Sequence, residues 1–400
     1  MTSVVWPEPI LHVDMDSFFV EVERLADASL RGIPVAVGGS GRRGVIASAS
    51  YEARRFGVHS AQPTATALRM CPELRVVAPS HDRYSEVSAA VFEVFRSYTP
   101  VVEGLSLDEA FLDVGGLRLH LPSAVAVGES VRKKLRDDLG LPASVGIASV
   151  KFIAKLASKA AKPDDVFHVP AESQKAFLAD LGAESMWGVG PATLAALERL
   201  GVETIGDIAT MPVETLVSAL GPTNGRHLHD LANGIDPRAV VPDAEAKSVS
   251  VEETYPYDLE TRNVMDTSLL GLAQRLSSRL RVSGLRCRTL TLKLRKADFT
   301  TVTRSTTAET AFDGSRQIYG LAVGLLDSIA DPRAVRLLGL GGTSLESASE
   351  PVQRQLDADE DWERVEDSVA EVQARFGAGS VGPARLLKGR ISRNRGEEPR

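Results

Sequence analysis

Two short stretches decide the fold: Ile10-Leu11-His12-Val13-Asp14-Met15-Asp16-Ser17-Phe18-Phe19 and Ser106-Leu107-Asp108-Glu109-Ala110-Phe111-Leu112-Asp113. In the first stretch, a short apolar strand ends at Asp14. In the second, Asp108 and Glu109 lie at a tight turn between two strands. If the strand ends lie side by side in one sheet, the three carboxylates meet at one edge of that sheet.

Carboxylates that crowd together repel one another unless cations neutralise them. Oxygen ligands of this kind, with room for phosphate oxygens, are what Mg²⁺ prefers. Two such ions about 4 Å apart can activate an attacking hydroxyl and stabilise a leaving pyrophosphate. Asp14 alone would be an ordinary strand end. Together with Asp108 and Glu109, each flanked by apolar strand residues, it predicts a metal centre.

The chain around these stretches is 400 residues long, a length that predicts two to four domains. Strand-like and helical segments alternate through residue 172, and residues 173–236 have a wholly helical pattern with short glycine turns. The composition of residues 238–247 is typical of an exposed linker. Residues 248–345 then have the order strand, helix, two strands, helix, strand, which predicts a four-stranded antiparallel sheet with two helices on one face.

The two opening stretches resemble the palm motifs of the Y-family DNA polymerases, and most closely those of the DinB (polymerase IV) branch. The resemblance covers about residues 10 to 345 and implies an α+β fold built like a right hand. The implied parts are a palm (1–24 and 83–172), small fingers (25–82), a helix-hairpin-helix thumb (173–237), a linker (238–247), a βαββαβ little finger (248–345) and a tail (346–400).

The resemblance also implies the metal ligands. Asp14, Asp108 and Glu109 would bind two Mg²⁺ ions, and the carbonyl of Met15 would assist. Asp16 belongs to the motif but is not a metal ligand in the family.

Residues 45–58 are similar to the fingers motif of the same family. Tyr51 and Arg54 lie three residues apart and share one helix face, where a hydroxyl and a planar cation can meet phosphate oxygens. The resemblance gives these two residues and Ser48 contacts with the incoming triphosphate. Lys162, which follows a helix end and precedes a proline, resembles the lysine that reaches the same phosphates.

Phe18 and Phe19 are adjacent, so on a helix they point about 100° apart. The resemblance places both beside the nucleotide and puts Phe19 beneath the sugar, as a steric gate against a ribose 2′-OH. The alternative for Phe19 is core packing. For Lys151, Lys155 and Lys159, which share one helix face, we expect a solvated stripe.

Trp187-Gly188-Val189-Gly190-Pro191 separates two helical segments and resembles a helix-hairpin-helix, in which Gly188 and Gly190 let the backbone approach a DNA phosphate. Residues 220–226 are a poorer copy. In the little finger, basic residues alternate with leucines, which predicts a phosphate-binding sheet face or, alternatively, a solvated one. The basic residues assigned to DNA contact are Arg286, Arg288, Lys293, Arg295, Lys296 and Arg304.

The net charge of −7 conceals a local asymmetry. Residues 346–371 hold ten acids against two arginines, whereas residues 262–305 hold ten bases against two aspartates. The valines and aromatic residues of 361–376 predict one amphipathic helix. Relatives in this branch often end in a peptide that docks on the sliding clamp, but the nearest match, residues 353–357, lacks the terminal aromatic pair.

Two distant cysteines and the lack of a signal peptide or spanning segment indicate a cytoplasmic protein without membrane contact. We also expect a monomer. The resemblance implies template-directed DNA synthesis from dNTPs on primer-template DNA, with low fidelity and tolerance of damaged templates. No stretch remains for a proofreading exonuclease. The alternatives are a nucleotide cyclase, which the thumb and little finger disfavour, and a non-catalytic DNA-binding accessory, which the three carboxylates disfavour.

Overall fold

The computed structural model of the chain describes residues 6–242 and 245–349, and in the tail residues 365–366, 368–369, 371–372, 375–377 and 380–386. The chain divides into two compact units, Met1–Ser40 with Gly44–Ala244 and Gly41–Arg43 with Glu245–Arg400. Among the described residues, no helix has the length and apolar character needed to cross a membrane.

The first unit alternates strands and helices before it becomes wholly helical. Its strands are β1 (Ile10–Met15), β2 (Val35–Gly38), β3 (Ile46–Ala49), β4 (Arg75–Val77), β5 (Val102–Gly104), β6 (Glu109–Asp113), β7 (Ala143–Ala148) and β8 (Val166–His168). Its helices are α1 (Phe18–Ala26), α2 (Tyr51–Arg54), α3 (Thr64–Met70), α4 (His81–Arg96), α5 (Ala124–Leu139), α6 (Lys151–Ala160), α7 (Gln174–Ala179), α8 (Pro191–Glu198), α9 (Ile205–Thr210), α10 (Val213–Leu220) and α11 (Pro222–Ala232).

A five-stranded sheet in the order β5-β6-β1-β7-β8 forms the centre of this unit. Side chains alternate across a strand, so Leu11 and Val13 of β1 join a core with α4 and α5. Ile10 of β1 and Phe111 of β6 join a second core with α6 and the later helices. Both faces of the sheet are therefore covered, which leaves its edges for polar groups.

A smaller sheet, in the order β3-β2-β4, has a core of its own. Ser50 begins α2 at the end of β3, and its side chain accepts a hydrogen bond from the N–H of Ala53. This cap fixes where the chain turns from strand to helix, and thus where Tyr51 begins its helix.

The helical region α7 to α11 agrees with the helical pattern of residues 173–236. Helices α10 and α11 approach closely at Gly225, where a Cβ would lie 2.6 Å from the backbone of Leu216. Only glycine allows this spacing between the two backbones.

The second unit has the predicted order of elements. These are β9 (Ser248–Leu259), α12 (Arg262–Val282), β10 (Leu285–Lys296), β11 (Thr301–Phe312), α13 (Ser315–Asp327) and β12 (Val335–Ser347). The sheet is antiparallel, in the order β11-β10-β12-β9. Its inner face carries Leu290, Leu292 and Leu294, which are fully buried with residues of both helices.

The predicted tail helix is described only in part. Residues 365–366, 368–369, 371–372 and 375–376 are helical, and residues 361–364 lie outside the described residues. The segment 353–357, considered above for clamp binding, also lies outside them.

The predicted linker is not exposed along its whole described length. Val240 is 7% exposed. The N–H of Val241 donates to Glu103 Oε2 (2.8 Å), and Lys151 Nζ donates to the carbonyl of Ala239 (3.2 Å). The expectation of an exposed linker is therefore wrong for Val240, although Val241 is exposed as expected, because β5 and α6 supply polar partners for the backbone on either side of Val240.

Gly146 provides a test of the packing between β7 and α6. A Cβ there would lie 2.0 Å from the carbonyl oxygen of Ala154. We expect Gly146→Ala to lower the free energy of unfolding by about 3 kcal/mol, because two backbones must separate. Gly116→Ala is the matched control, since no atom lies within 4 Å of its Cβ. Equal stability of both variants in urea unfolding would contradict this packing.

Candidate active site

The pairing of β1 with β6 brings the predicted acidic residues together. Asp14 lies directly opposite Glu109 in the antiparallel register. The N–H of Met15 donates to the carbonyl of Asp108 (2.9 Å) just beyond that pair. Opposite residues of an antiparallel pair present their side chains on the same face. The structure therefore places the three acids at one edge of the sheet, the edge formed by the end of β1 and the start of β6.

The charges at this edge repel one another. The pKa of Asp108 is raised, first because the carboxyl is removed from water and then because Asp14 and Glu109 are close. The Ser106 hydroxyl, 2.5 Å from Asp108 Oδ1, opposes the shift. A raised pKa means that the folded protein holds this carboxylate charge at a cost.

Two lysines partly compensate the acids. Lys162 Nζ lies 2.6 Å from Asp14 Oδ1, and Lys155 Nζ lies 2.5 Å from Glu109 Oε2. Hydrogen bonds from His12 and from Lys155 lower the pKa of Glu109 to about 2. Glu109 is therefore ionised throughout the neutral range.

The solvated-stripe expectation is wrong for Lys151 and Lys155. Lys151 is 4% exposed, and its ammonium lies 2.6 Å from both carboxylate oxygens of Glu103. Lys155 faces Glu109, and only Lys159 is exposed. The spacing of the lysines showed that they share a face, but the acids that this face meets come from β5 and β6.

His12 is a site residue to which the sequence assigned no role. Its ring is fully buried, with Nδ1 2.7 Å from Ser158 Oγ and Nε2 3.5 Å from Glu109 Oε2. Burial lowers the pKa of this imidazole. A lone histidine inside an apolar strand was the available signal, because a buried ring nitrogen needs a polar partner.

Within residues 6–242, 245–349 and the described tail positions, no group of three or more His, Cys, Asp or Glu side chains is arranged to hold a metal ion. The acids at the edge are instead paired with Ser106, Lys155 and Lys162. The donor set is nevertheless of the right chemistry, since Asp14, Asp108 and Glu109 offer only carboxylate oxygens to a hard cation.

The residues predicted to meet the triphosphate lie beside this edge. The Tyr51 hydroxyl donates to Asp16 Oδ1 (2.6 Å), and the Arg54 guanidinium lies 4.7 Å from the centre of the Tyr51 ring. Burial and the bond to Asp16 raise the pKa of Tyr51, so its hydroxyl stays protonated. Ser48 lies on β3 and is nearly buried.

The two adjacent aromatic residues have different surroundings. Phe18 is 2% exposed within the core, so its side chain has no surface for a nucleotide. The nucleotide contact that the resemblance assigns to Phe18 stays a prediction, and with the ring buried at the first turn of α1 it would come from the backbone. Phe19 is only partly buried and stacks on Tyr84, with ring centres 4.3 Å apart.

The predicted helix-hairpin-helix glycines lie on the surface of the helical region. Gly188 has a left-handed φ of 95°, and Gly190 directly precedes Pro191, the first residue of α8. No atom lies within 4 Å of a Cβ at either glycine. Gly221 stands in the same way before Pro222 at the start of α11, with φ 84°. Both turns therefore place a glycine directly before a proline at a helix start, and their contact with a DNA phosphate stays a prediction.

The basic residues of the second unit do not all share one face. Lys293 and Arg295 point away from the leucine core. On that open face, Lys293 pairs with Glu252 (2.7 Å). Arg304 lies opposite Leu292 in the register of β10 and β11, so it is on the helix-packed side of the edge strand. Its assignment to the open basic face is therefore wrong, because alternation alone did not fix the register.

Three family models match the chain. The impB/mucB/samB family model matches residues 13–159, and the model of the C-terminal domain of that family matches residues 246–357. The thumb-domain model named for DNA polymerase-iota matches residues 184–236. The matched segments coincide with the acidic sheet edge, the second unit and the helical region.

Relatives named DNA polymerase IV and a solved structure agree with these models. The chain is 44% identical to a DNA polymerase IV of Streptomyces coelicolor, over 84% of this chain and 71% of the relative. It is 39% identical to a DNA polymerase IV of Desulfatibacillum aliphaticivorans, over 94% and 96% of the two chains. A Y-family DNA polymerase chimera of Dbh and Dpo4 shares the fold, with TM-score 0.77 and 22% identity over 84% of this chain and 98% of the chimera. The chain therefore belongs to the DNA polymerase IV branch of the Y-family DNA polymerases.

Proposed function

We propose that the chain catalyses template-directed transfer of a deoxynucleoside monophosphate from a dNTP to a primer 3′-OH, with low fidelity and on damaged templates. The observation that carries the proposal is the meeting of Asp14, Asp108 and Glu109 at one sheet edge. The family membership favours this function over a nucleotide cyclase and over a non-catalytic DNA-binding accessory.

Asp14, Asp108 and Glu109, with the carbonyl of Met15, would hold two Mg²⁺ ions. When bound, such ions lower the pKa of an attacking hydroxyl and neutralise charge that develops on the phosphates. The raised pKa of Asp108 supports this role, because a carboxylate that is repelled by its neighbours gains most from a nearby cation.

Lys162, Tyr51 and Arg54 would bind the triphosphate. The ammonium of Lys162 already meets a carboxylate of the acidic edge, and the hydroxyl of Tyr51 lies near the same point through Asp16. Two cations and a hydroxyl on one side of the edge neutralise and orient a polyanion without covalent participation. Phe18 would contribute only through its backbone N–H, at the first turn of α1.

Phe19 would lie beneath the sugar, held by its stack on Tyr84. Ser48, on the short β3 strand, would lie near the new base pair. A small fingers sheet of three short strands offers little surface for checking that pair, which supports the proposal of low fidelity.

Primer-template DNA would contact the exposed turns at Gly188 and Gly190 and the open sheet face of the second unit. Arg286, Arg288, Lys293 and Arg295 remain the proposed phosphate contacts there. Lys296 lies opposite the buried Val335, so its predicted place on the open face is wrong and its proposed contact would come from the end of β10. Contacts of this kind depend on salt and not on sequence.

Primer extension tests the metal-binding role. We expect Asp108→Asn to lower kcat for extension roughly a thousandfold, because a ligand that stabilises transition-state charge contributes several kcal/mol. Asp113→Asn is the matched control, since Asp113 ends the same strand β6 at the opposite end and should retain activity. Extension should also stop in EDTA and return with Mg²⁺. Undiminished extension by Asp108→Asn would refute the site.

The raised pKa of Asp108 predicts that removing its charge stabilises the protein at neutral pH. Since its folded pKa lies above the unfolded value, ionisation at neutral pH favours the unfolded state. Without metal, Asp108→Asn should therefore raise the thermal midpoint at pH 7 and give no such gain below pH 3.8, the ordinary pKa of an aspartate.

The pKa of the neighbouring Glu109 is shifted in the opposite direction, so its ionisation has the opposite effect on stability. Its folded pKa of about 2 lies below the ordinary 4.5, so it stabilises the fold above pH 4.5 and loses that effect as the pH falls toward 2. Glu109→Gln should lower the thermal midpoint at pH 7, and this deficit should shrink on acidification. A shift of both variants in the same direction at pH 7 would contradict the assigned charges.

Sugar selectivity tests Phe19. We expect Phe19→Ala to keep polymerase activity with dNTPs and to admit ribonucleotides, because removal of the ring leaves room for a 2′-OH. The measurement is the ratio of kcat/KM for a dNTP to that for the matching rNTP. Phe92→Ala is a suitable control, since Phe92 packs against the same core on α4, away from the nucleotide. The same ratio in wild type and Phe19→Ala would refute the assignment.

A further inference from the structure

Asp16 stands two residues beyond Asp14 in the same motif, yet it lies inside the protein. Its side chain is 1% exposed. Oδ1 accepts the Tyr51 hydroxyl at 2.6 Å, and Oδ2 accepts the backbone N–H of Asp164 at 2.7 Å. The Ser144 hydroxyl lies 3.1 and 3.0 Å from the two oxygens. One carboxylate thus joins α2, β7 and the loop that follows α6.

The loop held by Asp16 is the one that carries Lys162. Asp164, two residues further on, has a left-handed φ of 52° and also donates its N–H toward Ser144 Oγ (2.9 Å). The carboxylate of Asp164 pairs with Arg132 (3.1 Å) and with Arg136. The loop is therefore anchored on its inner side by Asp16 and on its outer side by two arginines.

Lys162 and Tyr51 consequently depend on the same acid. Lys162 Nζ lies 3.6 Å from Asp16 Oδ1 and 2.6 Å from Asp14 Oδ1. The Tyr51 ring, which carries the hydroxyl, is also covered by the Arg54 guanidinium. The distance between a lysine of the palm and a tyrosine of the fingers is thus set by a residue that has almost no exposed surface.

We propose that Asp16 is a positioning residue for the incoming nucleotide: it holds Tyr51 and the Lys162 loop at the spacing that receives a triphosphate, without touching the nucleotide or a metal ion. The proposal rests on the proposed polymerase function and deepens it. It separates two acids of one motif into a metal ligand, Asp14, and an internal anchor, Asp16.

The chemistry of the anchor favours a carboxylate over an amide. Asp16 faces an N–H and two hydroxyls, and an ionised carboxylate is an acceptor on both oxygens. An asparagine would present one acceptor and one donor group. With its amide oxygen toward the Asp164 N–H, its NH₂ would face the Tyr51 hydroxyl, which would then have to accept instead of donate. The substitution would therefore reverse the Tyr51 hydrogen bond and remove the charge that strengthens both bonds.

The test is steady-state kinetics of single-nucleotide addition with Asp16→Asn. We expect KM for the dNTP to rise roughly tenfold, as for one lost charge-assisted hydrogen bond. The Kd for primer-template and the Mg²⁺ concentration for half-maximal activity should stay within about twofold, a change small against the 1.4 kcal/mol of a tenfold shift. Asp113→Asn is the matched control, because its side chain accepts from the Gly115 N–H at the far end of β6, away from Tyr51 and the Lys162 loop, and its KM should be unchanged.

A second variant covers the case in which Asp16→Asn does not fold. Arg136 is half exposed and reaches only the outer side of the loop, through Asp164. Arg136→Gln should leave the thermal midpoint unchanged and raise KM for the dNTP by about twofold to threefold, as for a weakened exposed ion pair.

Other outcomes would overturn the proposal. A raised Mg²⁺ requirement in Asp16→Asn would make Asp16 a metal ligand, and a fall in kcat with an unchanged KM would remove its positioning role. If neither Asp16→Asn nor Arg136→Gln changed KM, the loop would not depend on these anchors. Failure of the wild-type protein to extend a primer would instead refute the proposed function itself.

Discussion

The register between β1 and β6 is the constraint on which the site depends. It places Asp14 opposite Glu109 and the backbone of Met15 against Asp108, so like charges meet at a strand end. The same two strands bury Leu11, Val13, Phe111 and Leu112, each of which stabilises the fold by about 2 kcal/mol. Because a slip of one residue would exchange the two faces, the apolar core holds the acids together against their repulsion.

The cations that offset this repulsion are also those proposed to meet the substrate. Lys155 comes from α6 and Lys162 from the loop after it, and each ends on one acid of the edge. Bringing divalent ions and a triphosphate to this edge would replace one set of opposite charges with another. The site can therefore exchange partners without leaving a carboxylate or an ammonium unpaired in a partly buried place.

The sequence predicted the strands, the helical region, the second unit and the meeting of three acids, because these follow from local periodicity and motif spacing. It did not predict partners distant in the chain. The lysine spacing on α6 was read correctly as one face, but Glu103 and Glu109, which that face meets, are more than 40 residues away. Arg304 was misplaced for a related reason, since alternation within a strand does not fix its register against the next.

Asp14 and Asp16 differ in solvent exposure because the chain turns from strand to helix directly after them. β1 ends at Met15, and Ser17 adopts a left-handed φ of 46° before α1 begins. Such a conformation costs roughly 1 to 2 kcal/mol in a residue other than glycine. The Ser17 hydroxyl offsets part of that cost by donating to the carbonyl of Ala49 (3.1 Å) at the end of β3. This turn leaves Asp14 at the open edge and carries Asp16 inside, between α2 and β7. Two acids two residues apart can thus serve different chemistry, since the backbone between them decides which meets solvent.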